Sequence, residues 1–120
     1  MSFQRQSQNL VDMQLDVIRT RFIAALTERL DRMERWRDIV DEDRKCREPL
    51  MSIRMDAHKT VGVAKTLGFP ELGSLAREVE TALDGFLETD ASWACDDILL
   101  SKIDDMLGEM ALVVEGDPAA

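Results

Sequence analysis

Residues 49–88 read "PLMSIRMDAHKTVGVAKTLGFPELGSLAREVETALDGFLE", and the order of apolar residues and breakers in them predicts two helices joined by a tight turn. Pro49 suits a first helical turn, where its missing N–H would have had no partner anyway. Leu50, Ile53, Ala57, Val61 and Ala64 then fall on one face of a helix that the pattern carries to Leu67. Gly68 fits the left-handed position just past a helix end, and Pro70-Glu71 opens the next helix. Leu72, Leu75, Val79, Leu83 and Phe86 supply that helix's apolar face, to about residue 88.

Working outward, no Gly or Pro precedes Pro49, and Leu15, Ile18, Phe22, Leu26, Leu30, Met33 and Val40 recur at helical spacing. A long first helix over 10–44 is expected, capped by Asn9 with Asp12 in its first turn; a break near its middle is the alternative to a single rod. Between Glu28 and Glu48 the apolar stripe thins and charges of both signs crowd in. A solvated face laced with i,i+4 pairs accounts for this, and a dimerisation overhang is the alternative. Toward the C-terminus, "ETDAS" (88–92) is a polar connection with Ser92 as the expected cap. Asp96 and Asp97 then stand near the positive end of a fourth helix. That helix uses Leu99, Ile103, Met106, Met110 and Val113, and "EGDP" (115–118) stops it. The expected architecture is an all-α, antiparallel four-helix bundle with a long first helix. It occupies 10–115, between a flexible N-terminus (1–9) and a tail (116–120).

The composition narrows the function. The 120 residues are 45% hydrophobic and contain no Tyr, which suits one helical domain with a modest core. A net charge of −9 argues against non-specific nucleic-acid binding. The longest apolar run near either end, Met110 to Val114, is far too short to span a bilayer, and "MSFQRQSQNL" lacks a signal peptide's apolar core. Cys46 and Cys95 form neither a zinc spacing nor a disulfide framework, so free thiols in the cytoplasm are expected. Charge is uneven: residues 1–65 hold 13 basic and 11 acidic side chains, residues 66–120 hold 2 and 13.

His58 is the only histidine. At 100° per residue it lies about 100° from the centre of its helix's apolar face, on the flank of the stripe. Arg54 and Lys65 project within about 40° of it, one turn before and two turns after, and Gly62 does so one turn on. Long basic side chains beside a bare patch of backbone attract an anion and admit a bulky partner. Imidazole titrates near neutrality, so at pH 7 much of it is an uncharged nucleophile. Phosphoryl transfer needs mainly alignment and charge neutralisation, and one nucleophile on a rigid helix suffices if a partner brings metal and donor. A boundary residue with no chemistry is the plain alternative for a lone histidine at that place. No acid/base dyad, Ser/His/Asp set or phosphate-cradling loop accompanies it.

"AHKTVGVAKTLGFPELGSLAREVE" (57–80) resembles the histidine phosphotransfer (HPt) domains of multistep phosphorelays and the phosphorylated domain of chemotaxis histidine kinases. Those families carry H-x-x-K-G-[SAG]-A-x-x-[LF]-G on one helix and L-x-x-L-[AC]-x-x-[LVI]-E on the next. His58, Gly62, Ala64, Leu67 and Gly68 match in register, as do Leu72, Leu75, Ala76, Val79 and Glu80. The resemblance implies a phosphorelay intermediate in which His58 takes a phosphoryl group from a receiver-domain aspartate and passes it to another receiver. It implies response-regulator receivers and a hybrid histidine kinase as partners, no kinase activity in this chain, and Mg2+ on the receiver with no cofactor or metal here. Gly62 would admit the receiver's edge, and Glu80 would orient the imidazole, with a surface Glu either paired with Arg77 or solvated as the alternative. Val61 departs from the pattern, standing where the family has lysine. Lys65, with Arg54, would replace that charge; Lys59 is close by but points elsewhere, adding to the electrostatics toward phosphate and receiver, and Leu67 and Phe69 would offer a docking surface, Phe69 also packing the turn. The departure leaves a second function open: an adaptor bundle that binds a receiver or kinase without relaying. A haem- or metal-binding bundle using the seven Met and one His is a third, opposed by the absence of C-x-x-C-H. A monomer is expected, with a dimer through helix one as the alternative.

Overall fold

The computed structural model describes residues 2–89 and 94–116, with side chains described from residue 8 onward. Four helices follow in order: α1 (Ser2–Glu42), α2 (Arg47–Ala64), α3 (Pro70–Glu88) and α4 (Asp97–Glu115). Each packs on its two neighbours around a square, α1 on α2 and α4, α3 on α2 and α4, and among the described residues no backbone approach joins the diagonal pairs. Cross-helix pairs set the directions. Arg29 meets Thr60 and Arg32 meets Asp56, while Arg37 meets Asp104 and Arg44 meets Asp97, so α2 and α4 both run against α1. The result is the expected all-α, up-down-up-down bundle, with no strand among the described residues.

The core takes one stripe from each helix: Phe22, Leu26, Met33 and Val40; Leu50, Ile53, Ala57 and Ala64; Leu72, Ala76, Val79 and Leu83; Leu99, Ile103, Met106 and Met110. Met33, Met106 and Met110 are fully buried, as gap-filling methionines in a bundle tend to be. The uneven charge along the sequence has a structural use. Basic residues of α1 and the α1–α2 turn pair with acids of later helices: Arg32 with Asp56, Arg37 with Asp104 at 2.8 Å, and Arg44 with Asp97 at 2.6 Å. The expected i,i+4 pairs, Arg35–Asp31 and Arg37–Asp41, share this stretch, which therefore joins helices as well as facing solvent.

Several boundaries differ from expectation. α1 is continuous and starts at Ser2, so Asn9 lies inside it instead of capping it, and it ends at Glu42. Without Gly or Pro, nothing in the local sequence stops the helix at residue 10. At about 1.5 Å per residue its 41 residues span roughly 60 Å, which accounts for the molecule's 65 Å long axis. The other three helices are less than half as long, so α1 outruns them. Consequently Leu15 is half-buried and Ile18 exposed, although their spacing continues the core stripe. α2 begins two residues before Pro49 and ends at Ala64, after which a turn runs to Gly68. There Phe69 N–H donates to Ala64 O at 2.8 Å and Gly68 N–H to Lys65 O at 3.3 Å, a Schellman closure with Gly68 at φ +92°. α4 is capped by Asp96, whose side chain accepts from Leu99 N–H at 2.8 Å; the expected cap, Ser92, lies outside the described residues, as does the tail beyond 116. Cys46 and Cys95 are free thiols. Burial, helped by the Asp96 carboxylate, pushes the Cys95 thiol up to about 11. Among the described residues no helix is long and apolar enough to cross a membrane.

Candidate functional site

The orientation of α2 is set on its α1 side by a buried polar cluster. The Asp56 carboxylate accepts from Arg32 Nε at 3.1 Å and Nη2 at 2.6 Å, and Arg29 Nε lies 3.9 Å away. Arg29 Nη1 donates to Thr60 Oγ1 at 3.1 Å, and that hydroxyl donates to the Asp56 carbonyl at 2.8 Å. Burial lowers the pKa of Arg29 against the pull of Asp56, whereas the hydrogen bonds that Arg32 donates to Asp56 raise that of Arg32. With Asp56 and Thr60 turned to α1 and Ala57 to the core, His58 must emerge on the edge facing α3.

It does so with a side chain that is 72% exposed, and its Nδ1 sits against Glu80 Oε2 of α3, itself only 21% exposed. A carboxylate only accepts, so Nδ1 carries the proton and donates it; the Nε2 lone pair then faces solvent. The same antiparallel register places two more pairs along the α2–α3 groove. One turn before, Arg54 Nε is paired with Asp84. Two turns after, the Lys65 stem lies across Gly73, where an added Cβ would come within 2.6 Å of Lys65 Cγ. Gly62 is open, with nothing within 4 Å of where a Cβ would stand.

The other residues singled out in the sequence are distributed unevenly. Lys59 is exposed and has no ion pair among the described residues. Val61 is partly buried against the core, so an aliphatic side chain fills the place expected to hold a cation. Leu67 is only 3% exposed and is a core residue, not part of a docking surface. Its carbonyl accepts from Arg19 Nε at 2.8 Å, which ties the α2–α3 turn to α1. Phe69 is half-buried, its ring stacked 5.8 Å from Phe22, and packs that turn. The reason is the Schellman closure, which draws apolar residues on either side of Gly68 inward. Three features had a signal in the sequence that went unread. Pairing 58 with 80 in antiparallel helices fixes 54 opposite 84 and 65 opposite 73. Met51 and Met55, each 57% exposed, stand two turns and one turn before His58 on its side of α2. Among the described residues no group of three or more His, Cys, Asp or Glu side chains is placed to hold a metal.

His58 is thus an exposed imidazole on the rim of the bundle, with Nδ1 against Glu80 and no hydrogen bond at Nε2 among the described residues. The chain belongs to the Hpt domain family, whose model matches residues 17–112. Hpt domains are histidine phosphotransfer modules of phosphorelays, phosphocarriers that interact with receiver domains and histidine kinases and are not kinases themselves. No curated protein and no solved structure matches the chain significantly.

Proposed function

We propose that His58 is the phosphoacceptor of a phosphorelay intermediate, taking its phosphoryl group from a receiver-domain aspartate and returning it to a second receiver. The observation that carries this is the His58–Glu80 pair, which leaves Nε2 free at the surface. Nε2 attacks the phosphorus of an aspartyl phosphate, the N–P bond forms as the P–O bond to the carboxyl breaks, and the receiver's carboxylate leaves. The Nδ1 proton stays in place, and the positive charge the ring acquires lies against the Glu80 carboxylate. In the return step the ring leaves as neutral imidazole. Mg2+ held by the receiver would neutralise the phosphoryl oxygens. A receiver whose aspartate approaches Nε2 must also cover the bare backbone at Gly62 and the methionines at 51 and 55, flexible apolar side chains suited to more than one partner. A cytoplasmic location accords with such partners.

Arg54 is engaged by Asp84, whereas only the stem of Lys65 lies across Gly73 and its ammonium has no ion pair among the described residues, so the charge that Val61 lacks falls to Lys65. That same substitution favours the second reading, an adaptor that binds receivers without relaying. Incubation with phosphorylated receivers separates the two. An acid-labile label that is absent from His58→Gln supports relay, whereas receiver binding with no label on the wild-type chain supports the adaptor. A Lys65→Ala variant with unchanged transfer rate removes Lys65 from the site.

A further inference from the structure

Residues 51–58 read M-x-x-x-M-x-x-H along the exposed strip of α2. Met51 and Met55 are each 57% exposed, whereas Met33, Met106 and Met110 are fully buried, the usual place for methionine. On a helical projection both exposed methionines lie within about 60° of His58, and Met55 stands three residues before it. Side chains at that spacing have Cβ atoms roughly 5–6 Å apart. One metal ion bonded to both a thioether and an imidazole needs its donors about 4–4.5 Å apart, a span the flexible Met55 side chain can set against Nε2. Met51, one turn further back, brings a second thioether beside the first.

The other side of the imidazole is arranged as it is in metal sites. A histidine that binds a metal through one nitrogen nearly always donates its other N–H to a carboxylate, carbonyl or water, which fixes the ring and raises its basicity. His58 Nδ1 donates to Glu80, and Nε2 makes no hydrogen bond among the described residues. The donor set also selects the ion. The two carboxylates that α3 pairs with α2 are taken, Glu80 by Nδ1 and Asp84 by Arg54, and Asp56 is turned to α1. What remains beside Nε2 is thioether sulfur, which favours Cu(I) over Mg2+ or Zn2+. The neighbouring cations do not bar a single positive charge. Arg54 is neutralised by Asp84, the Lys65 stem lies two turns away across Gly73, and Lys59 projects about 100° from His58 into solvent.

We propose that Met55 Sδ and His58 Nε2, supported by Met51 Sδ, bind a soft monovalent metal ion, Cu(I). The ion and a phosphoryl group need the same lone pair, so a metal-loaded chain takes no phosphoryl group. That consequence, unlike the site itself, rests on His58 being the phosphoacceptor.

Silver(I), air-stable and with the same preference for sulfur, is the probe, in chloride-free buffer and read by NMR. Thiols outcompete thioethers, so the titration uses the full chain as Cys46→Ser/Cys95→Ala and is repeated on the wild type alkylated at Cys46, where the remaining Cys95 is buried. Between about 1 and 100 µM, one equivalent should move the Nε2 nitrogen signal and the Met51 and Met55 methyl signals together. The signal of Met13, 63% exposed on α1, should stay in place. Met55→Leu should weaken binding at least about tenfold, and Glu80→Gln should weaken it through the ring. Binding unchanged in Met55→Leu, a metal shift at Nδ1 instead of Nε2, or no saturable binding up to about 100 µM overturns the site. In transfer from a phosphorylated receiver, anaerobic Cu(I) should stop the parent chain and not Met55→Leu, each compared with itself without metal. Full-rate transfer by the metal-saturated chain overturns the exclusion. A chain that binds metal at Nε2 yet takes no phosphoryl group with or without it supports the site and removes the relay reading instead.

Discussion

Gly62→Gln separates what the fold wants at that position from what transfer wants. A glycine inside a helix costs roughly 0.5–1 kcal/mol relative to a good helix former. At Gly62 nothing stands within 4 Å of an added Cβ, so the substitution meets no steric charge against that gain. The variant should therefore be more stable by about 0.5–1 kcal/mol, raising the melting temperature of a domain of this size by roughly 2–5 °C. The same side chain projects beside His58, about 40° away and one turn on, where a receiver's aspartate must approach to about 3–3.5 Å of Nε2. Phosphoryl transfer should fall at least about tenfold, through weaker docking or a misaligned approach. Circular dichroism melts give the first quantity, and single-turnover transfer from a phosphorylated receiver, with receiver in excess, gives the second. Gly62→Ala should show the same stabilisation with a smaller loss of transfer. A Gly62→Gln chain that is less stable than wild type, or more stable and equally fast, refutes the assignment of this glycine to partner access.

Other outcomes follow from the same geometry. Asp56→Ala leaves Arg29, with a side chain only 15% exposed, uncompensated, while Arg32 at 44% re-enters water. The expected cost is about 3 kcal/mol, a drop of roughly 10 °C in a melt, and less than 1 kcal/mol would show that the cluster does not hold α2 to α1. Glu80→Gln keeps the shape of the Nδ1 contact but removes its charge. Transfer should slow about tenfold with the melting temperature nearly unchanged, and an unaltered rate would remove Glu80 from the mechanism. Cys95, raised from 9.0 to about 11 in the fold, is protonated over a range where the unfolded chain has lost the proton. Its contribution is complete below pH 9 and is lost between 9 and 11, by roughly 2–3 kcal/mol. Urea midpoints of wild type and Cys95→Ala should diverge over that interval, the variant falling less steeply.

The parts of the fold that could be read from the sequence are those punctuated by residues with fixed backbone demands. Gly68 and Pro70 mark the α2–α3 turn because one needs a positive φ, +92° here, and the other cannot continue a helix. The site shared this advantage: the offset of His58 from the apolar stripe puts it on a rim, and the antiparallel turn brings α3 to it. Where such punctuation was missing, the reading failed. Nothing between Ser2 and Asn9 distinguishes a helix from a tail by pattern alone. Leu15 and Ile18 have core spacing but no bundle beside them, since periodicity records a face and not whether anything covers it. Leu67 looked like a surface residue because turn residues usually are, yet its turn folds inward and buries it. The commitments of Arg54 to Asp84 and of Lys65 to Gly73 depend on register between helices, which no single-helix pattern contains.

The most direct measurement uses nitrogen-15 NMR on the untagged chain after incubation with a phosphorylated receiver. With one histidine in the sequence, every phosphoimidazole signal belongs to His58. Phosphorus coupling is expected at Nε2, with a retained proton at Nδ1 that shifts in Glu80→Gln. Phosphorus on Nδ1, or a fully unphosphorylated ring with receivers that phosphorylate other Hpt domains, would contradict it.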